Sequence, residues 1–322
     1  MKSISRSLAL VLFAVVALNA RAAGYPDQPL RLIAPYAPGG NIDSTARLLA
    51  QGLSQRLGQP VIVENRPGAA GVVGSEVVAK SKPDGYTMVL NSTGALASAK
   101  VLNPGLKLDP LKDFAAAATV SQAPMALIVN PALPVRSVAE LIDYARKRPG
   151  KLTMASSGIG TSAHLAGEMF QQMTGVKFLH VPYAGSSQAV SDLVAQRVDL
   201  TFDQLTSTLP LIKAGKLRAL AVTTSTRSIF MPELPTLEES GVHGFEMSTT
   251  TGLLLAKDTP PAILDRLNRD SAAILNDPAV KDKMLLLGAA PLPGSGNDFD
   301  RMLRGEIEKW TRVADTADIK LP

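Results

Sequence analysis

Short apolar runs alternate along this chain with longer stretches in which apolar residues recur every three to four positions, the two periods of strand and helix. Leu30–Pro35 reads as a strand, a Gly39-Gly40 turn follows, and a helix is predicted from about Asp43 to Leu57 with Leu48, Leu49, Leu53 and Leu57 on its buried stripe. Gly58 stands where a left-handed glycine ends a helix. Pro60–Glu64 is a second strand, Gly68 to Gly74 opens a helix to about Lys80, and Pro83-Asp84-Gly85 makes a turn into the strand Tyr86–Leu90. After a loop rich in Pro and Gly, Ala126–Val129 is strand-like, and Ser137 N-caps a helix over Val138–Arg146 with Glu140 in the capping-box position.

The pattern then repeats. Lys151–Ala155 leads through Ser156, Ser157, Gly158, Ile159, Gly160 and Thr161 into a helix from His164 to Met173. Phe178–Val181, Val198–Phe202 and Leu217–Val222 read as strands, with a helix around Gln188 to Ala195. Beyond Pro260-Pro261 the chain is helical over Ala262–Leu275, Pro278–Leu287 and Asp298–Val313. Alternating strands and helices predict an α/β fold with a largely parallel sheet. Two similar strand–turn–helix units, at 30–57 and 151–173, lie too far apart to be neighbours in one sheet, so each belongs to its own lobe.

The first residues break this rhythm and set the compartment. Lys2 and Arg6 precede an apolar run of about eleven residues, Leu8–Leu18, and Ala20 and Ala22 supply a small-residue cleavage site. A membrane span needs roughly 20 apolar residues, so the run reads as a signal peptide over residues 1–22 and predicts export of a soluble mature chain. The formal net charge is +5, of which Lys2, Arg6 and Arg21 carry three, leaving +2 after cleavage. With no block of Lys and Arg interleaved with aromatics, nucleic acid is excluded as a partner. There are no cysteines, which excludes disulfides, thiolate metal sites and a Cys nucleophile.

Candidate chemistry sits in the turns. A helix N-terminus has unpaired N–H groups and roughly half a positive charge, and glycine lets that backbone approach an anion. The Pro38–Asp43 loop, with Gly39-Gly40, Asn41 and Ile42, and the Ser156–Thr161 loop share this design, and the second adds hydroxyl donors. Facing each other across a cleft, they can hold one carboxylate without a charged clamp. Asp43 would repel an anion and is read as a cap or as a residue orienting water. His164, in the first turn of the second helix, is a candidate ligand contact, whereas His180 and His243 read as structural. Asp203 can accept from a ligand hydroxyl or amide, or cap the next turn. Gly68, Gly71 and Gly74 do not match the dinucleotide fingerprint, and neither a P-loop nor a hydrolase elbow is present. No cofactor and no metal site are expected.

These residues resemble a known family. Arg31 through Asp43 with Arg47, Leu57 through Gly71, Pro83–Thr87, Gly158–Leu165, Val181–Gly185, Lys213–Val222, Leu234–Thr236 and Lys309-Trp310 are similar, in order, to the Bug receptors of tripartite tricarboxylate transporters. The resemblance implies a type II periplasmic binding fold with two α/β lobes, two crossover segments and a ligand cleft between them. On this reading lobe 1 comprises residues 23–122 and 250–322, and lobe 2 comprises 123–249. The implied function is capture of a small mono- or dicarboxylate in the periplasm, by a monomer, for membrane permease subunits. A sensor protein as partner, or hydrolysis of a carboxylate-bearing substrate, are the alternatives. The implied site carries Tyr36, Gly39, Gly40, Asp43, Ser92, Ser157, Gly160, Thr161, His164, Tyr183, Gly185 and Asp203. One departure stands out: Thr249-Thr250-Thr251 precede Gly252-Leu253 where the family commonly has Trp, which either reshapes the cleft or changes packing alone.

Overall fold

The computed structural model describes residues 24–103 and 105–317, so the expected signal segment lies outside the described residues. The first unit is β1 (Leu30–Ala34), α1 (Asn41–Leu57) and β2 (Val61–Asn65); a short turn at Ala69–Gly71 then leads to α2 (Val72–Ala79) and β3 (Thr87–Ser92). β1 pairs in parallel with both β2 and β3. Leu49, Leu53 and Leu57 of α1 are buried as the periodicity predicts, and Leu48 is half-buried beside them. Burying each such leucine contributes roughly 1.5–3 kcal/mol. Gly58 ends the helix at φ 70° with its N–H on the Ser54 carbonyl.

Two elements that the pattern did not predict follow, with a third that it predicted only in part. α3 (Thr93–Leu102) begins directly at the end of β3, capped by the Ser92 side chain. β4 (Phe114–Val129) is a strand of 16 residues, of which only the last four read as strand from the sequence. β9 (Ser248–Ala256), far along the chain, lies antiparallel to it from Phe114↔Ala256 to Pro124↔Ser248. Pro124 has no N–H to continue a ladder. From Met125 onward β4 pairs instead with β7 (Leu200–Gln204) and β8 (Arg218–Val222). β4 is thereby the shared strand of two half-sheets, and β9 runs back alongside its first part.

The second half-sheet holds β5 (Thr153–Ser156) and β6 (Leu179–Pro182) in parallel, with β5 also parallel to β7. Its helices are α4 (Val138–Arg146), α5 (Ser162–Thr174), α6 (Ser186–Val194) and α7 (Leu205–Lys213). The Ser137 cap accepts from the Glu140 N–H at 3.2 Å, while the Glu140 carboxylate reaches back to the Arg136 N–H at 2.6 Å. α7 was not predicted, and it carries Pro210 inside it. The chain returns through β9 to the first half, adding α8 (Pro261–Leu275), α9 (Pro278–Leu286), β10 (Ala290–Ser295) and α10 (Gly296–Ala317).

The strand order β2-β1-β3-β9-β4-β7-β5-β6, with β10 and β8 on β4, makes two α/β lobes joined by β4 and β9. The expected boundaries at 122–123 and 249–250 fall inside these two strands. Parallel strands of each lobe deliver their C-terminal ends, and the helix N-termini that follow, to the space between the lobes. Among the described residues no helix is long and apolar enough to cross a membrane.

Candidate functional site

In the first lobe the turn after β1 places Gly39 at φ 87°, where glycine alone is unstrained, and the extended Gly40 caps α1 without a side-chain bond. Asp43 turns back from the first helical turn. Its carboxylate accepts from the Gly39 N–H at 2.9 Å and Asn65 Nδ2 at 2.9 Å, and pairs with Arg47 at 2.8 Å. Burial opposes its charge, but the bonds from Arg47, Gly39 and Asn65 outweigh it and hold the carboxyl below its usual range. Asp43 is therefore a brace of the loop, turned toward its own lobe.

The second lobe repeats the device with different chemistry. Gly160, at φ 80°, donates its N–H to His164 Nδ1 at 3.1 Å. That bond fixes the neutral tautomer with its proton on Nε2, which faces Glu168 Oε1 at 3.7 Å. The His164 ring stacks on His180 with centroids 4.2 Å apart, and His180 Nε2 meets Ser156 Oγ at 2.6 Å. Burial, reinforced by the neighbouring His180, lowers the His164 pKa to about 4, and burial lowers His180 as well. Both rings are neutral at neutral pH.

Between the loops lies a cavity of about 40 Å³ lined by Tyr36, Ala37, Gly40, Asn41, Ile42, Ser92, Ser157, Thr161, Ser162, Ser186, Gln204 and Thr249. One water needs about 10–15 Å³ on this measure, so the space suits a carboxylate head group or a few waters. Five helices begin at this wall: α1 at Asn41, α3 after Ser92, α5 at Ser162, α6 at Ser186 and α7 after Gln204. Each presents first-turn N–H groups without helical partners and roughly half a positive charge. No lining residue carries a formal charge. What attraction the wall has for an anion comes from backbone N–H groups and helix dipoles.

Behind the wall, beside Ser186, is a second buried acid. Asp203 is 1% exposed; it accepts from the Ser186 hydroxyl in a short bond and from the Gln204 N–H at 2.7 Å. Burial pushes its pKa up to about 6 against the pull of those two donors. Gln204 Nε2 donates to Thr249 Oγ1 at 3.0 Å, which ties the end of β7 to the crossover strand β9 beside the cavity. Asn41, 4% exposed, accepts at Oδ1 from Thr206 of the opposite lobe at 3.0 Å and from Thr45 at 3.5 Å, while its Nδ2 has no partner.

A larger space of about 390 Å³ adjoins the first, sharing Tyr36 and Ser157 and otherwise lined by Pro67–Gly71, Gly158, Ile159 and Pro182–Ala184. It too carries no charged side chain. Tyr36 donates to the Ala70 carbonyl at 2.9 Å, and Tyr183 turns its hydroxyl to Asp192 at 2.8 Å. A Cβ at Gly71 would stand 2.9 Å from the Tyr36 hydroxyl, so this part of the glycine series serves close packing.

The lobes touch around the cavity. Ser98 of α3 donates to the Gly160 carbonyl, Ser187 of α6 to the Pro38 carbonyl at 2.9 Å, and a Cβ on Gly185 would lie 2.8 Å from that of Ala37.

Of the residues picked out in the sequence, Tyr36, Gly40, Ser92, Ser157 and Thr161 line the small cavity, and Tyr183 lines the adjoining one. Gly39, Asp43, Gly160, His164 and Asp203 stand behind it, and Gly185 packs at the lobe contact. The Gly39 and Gly160 N–H groups, expected to face an anion, are spent on Asp43 and His164. The Thr161 hydroxyl is likewise spent, on the Gly158 carbonyl at 2.7 Å. Sequence reasoning missed Ala37, Ser162, Ser186 and Gln204, whereas Asn41 and Ile42 lie within the first singled-out loop. The signal for most was position: each lies within two residues of a singled-out loop or strand end. Thr249, in the departure from the family pattern, lines the cavity directly.

Two α/β lobes joined by an antiparallel strand pair, with a helix-walled cleft free of charged side chains between them, define a solute-binding receptor of the periplasmic type. Residues 45–319 match the profile of the tripartite tricarboxylate transporter family receptor, TctC. The chain is 37% identical over 298 residues to Protein BugT of Bordetella pertussis, covering 92% of this chain and 91% of that one. It is also similar to an R. palustris protein solved with adipate, at 38% identity and TM-score 0.89 over 92% of this chain and 99% of that one. MatC of Rhodopseudomonas palustris, solved with bound malate, is similar at 29% identity and TM-score 0.86, over 90% and 99% of the two chains. The chain belongs to the tripartite tricarboxylate transporter receptor family, the Bug receptors.

Proposed function

We propose that this protein captures a small mono- or dicarboxylate in the periplasm and delivers it to the membrane permease subunits of a tripartite transporter, without chemistry on the ligand. The observation that carries this is the convergence of five helix N-termini on a cavity with no charged side chain. Such ends contribute about 0.3–1 kcal/mol each toward an anion, more where water is excluded. Gly40, Ser92, Ser157 and Thr161 form the wall around the carboxylate, with Tyr36 where the two spaces meet. The ligand's remainder extends into the adjoining space beside Tyr183, whose uncharged lining suits an aliphatic chain better than two further carboxylates. Adipate and malate in the two similar structures fit this class.

Ser156 and His180, at 2.6 Å, pair a hydroxyl with an imidazole. Ser156 is fully buried and lines neither cavity, which weighs against hydrolysis. The test is a panel of mono-, di- and tricarboxylates examined by thermal shift, with NMR of the recovered acids. A ligand at 100 times its Kd should stabilise the fold by about 2.7 kcal/mol and return unchanged. Stabilisation by tricarboxylates alone would contradict the assignment, and turnover would overthrow it.

A further inference from the structure

The small cavity contains more than a carboxylate needs. A carboxylate only accepts hydrogen bonds, so a site for it requires donors alone. Asn41 Nδ2 is such a donor: it is buried, it has no partner, and its residue lines the cavity. The side chain is held by its oxygen, which takes the Thr206 and Thr45 hydroxyls, so the amide N–H₂ is left for whatever enters.

Ser186 is the opposite case. Its hydroxyl proton is committed to the Asp203 carboxylate behind it, and a hydroxyl has only one proton to give. With that proton committed, Ser186, which lines the cavity, has only lone pairs to offer whatever enters, with a buried carboxylate beside them. A bare carboxylate oxygen is repelled there, whereas an O–H or N–H is attracted. The two groups come from opposite lobes, which approach closely beside them: a Cβ on Gly40, the residue before Asn41, would stand 3.7 Å from Ser186 Cβ.

We propose that the cavity selects carboxylates bearing a hydroxyl or ammonium donor on the carbon next to the carboxyl group, with Asn41 seating the carboxylate and Ser186 reading the donor. This rests on the carboxylate reading above and narrows it. Neither Asn41 nor Ser186 contributes a formal charge, so the selection comes from hydrogen-bond polarity. Sites built to bond a hydroxyl reject the analogue lacking it far more strongly than apolar pockets reject a missing methylene.

The experiment is isothermal titration at pH 8 with matched pairs: malate against succinate, lactate against propionate, and aspartate as the ammonium arm. The expected result is at least about tenfold tighter binding of the donor-bearing member in each pair that binds, or about 1.4 kcal/mol. Tighter binding of malate than aspartate assigns the hydroxyl, and the reverse assigns the ammonium. Ser186→Ala should bring the paired affinities to within about threefold, and Asn41→Asp, which replaces the donor by an anion of the same shape, should abolish binding of every member. Equal wild-type affinities within the pairs would overturn the proposal without touching the carboxylate reading. A preference that survives in Ser186→Ala would overturn the role of Ser186. Failure of all five acids and of longer dicarboxylates to bind would remove the carboxylate reading itself, and this inference with it.

Discussion

His164 Nδ1 accepts the Gly160 N–H at 3.1 Å, the counterpart in one lobe of Asp43 Oδ2 accepting the Gly39 N–H at 2.9 Å in the other. In both cases the residue four positions along the helix turns back to lock the glycine that begins the turn. The bond removes that N–H from the set available to a ligand and fixes the path of the next residues, whose N–H groups form the wall. Acid and imidazole serve the same geometric purpose, yet they differ in what pH does to them.

His164 is kept neutral by burial and by His180, with a folded pKa of about 4 against an ordinary 6.5. Above pH 6.5 both folded and unfolded chains are neutral at this site. Between 6.5 and about 4 the unfolded chain binds a proton that the folded chain refuses, so stability is lost as pH falls through that window, approaching about 3 kcal/mol. Urea denaturation at pH 7.5 and at pH 5 should show the wild type losing stability on acidification. His164→Ala should begin about 1–3 kcal/mol lower, because the Gly160 N–H is left buried without an acceptor, and should lose less between the two pH values. An unchanged slope in the variant would place the acid sensitivity elsewhere.

Asp203 behaves with the opposite sign. Burial holds its folded pKa up at about 6, above the ordinary 3.8. Its contribution to stability is fully present below pH 3.8 and is lost as pH rises through about 6. The charged, buried carboxylate thus costs up to about 3 kcal/mol at pH 8. Asp203→Asn keeps the shape and an acceptor for the Ser186 hydroxyl while removing the charge. The stability of Asp203→Asn relative to wild type should rise by an amount of this order between pH 4 and pH 8, read from denaturant midpoints. A difference independent of pH would mean that the folded Asp203 carboxyl titrates where the unfolded one does.

The turns were legible in the sequence because each combines a strand end, a glycine and a helix start within a few residues. Local pattern did not reveal which atoms of those turns are free. The bonds that occupy Gly39 and Gly160 come from side chains four residues on, and the bond that orients Asn41 comes from Thr206, on the opposite lobe. Ser186 and Gln204 enter the wall for the same reason, through lobe contact. The long strand β4 was read only over Ala126–Val129, because its earlier residues Phe114–Met125 are rich in alanine with little of the β-branched alternation that marks a strand. Its strand identity comes from pairing with β9, more than a hundred residues later, and pairing of that range leaves no trace in a local window.

Gly185 tests whether lobe contact and ligand capture are one event. Its backbone is extended, at φ 177°, so alanine adopts the conformation without strain. The added Cβ would nevertheless lie 2.8 Å from Ala37 Cβ of the other lobe, well inside contact distance. An arrangement with the lobes apart escapes this clash, whereas the one described here does not. A ligand bound between the lobes stabilises the closed arrangement only by its difference in affinity for the two states, so a cost confined to one of them subtracts directly from binding. Gly185→Ala should therefore weaken ligand binding by about tenfold or more, about 1.4 kcal/mol, with the thermal midpoint of the ligand-free protein nearly unchanged. Gly175→Ala is the contrasting control: Gly175 sits at φ 70° ending α5 with open space around it, so alanine there should lower the midpoint and leave affinity alone. Equal affinity of Gly185→Ala and wild type, measured by calorimetry on the same ligand, would separate lobe contact at this point from capture.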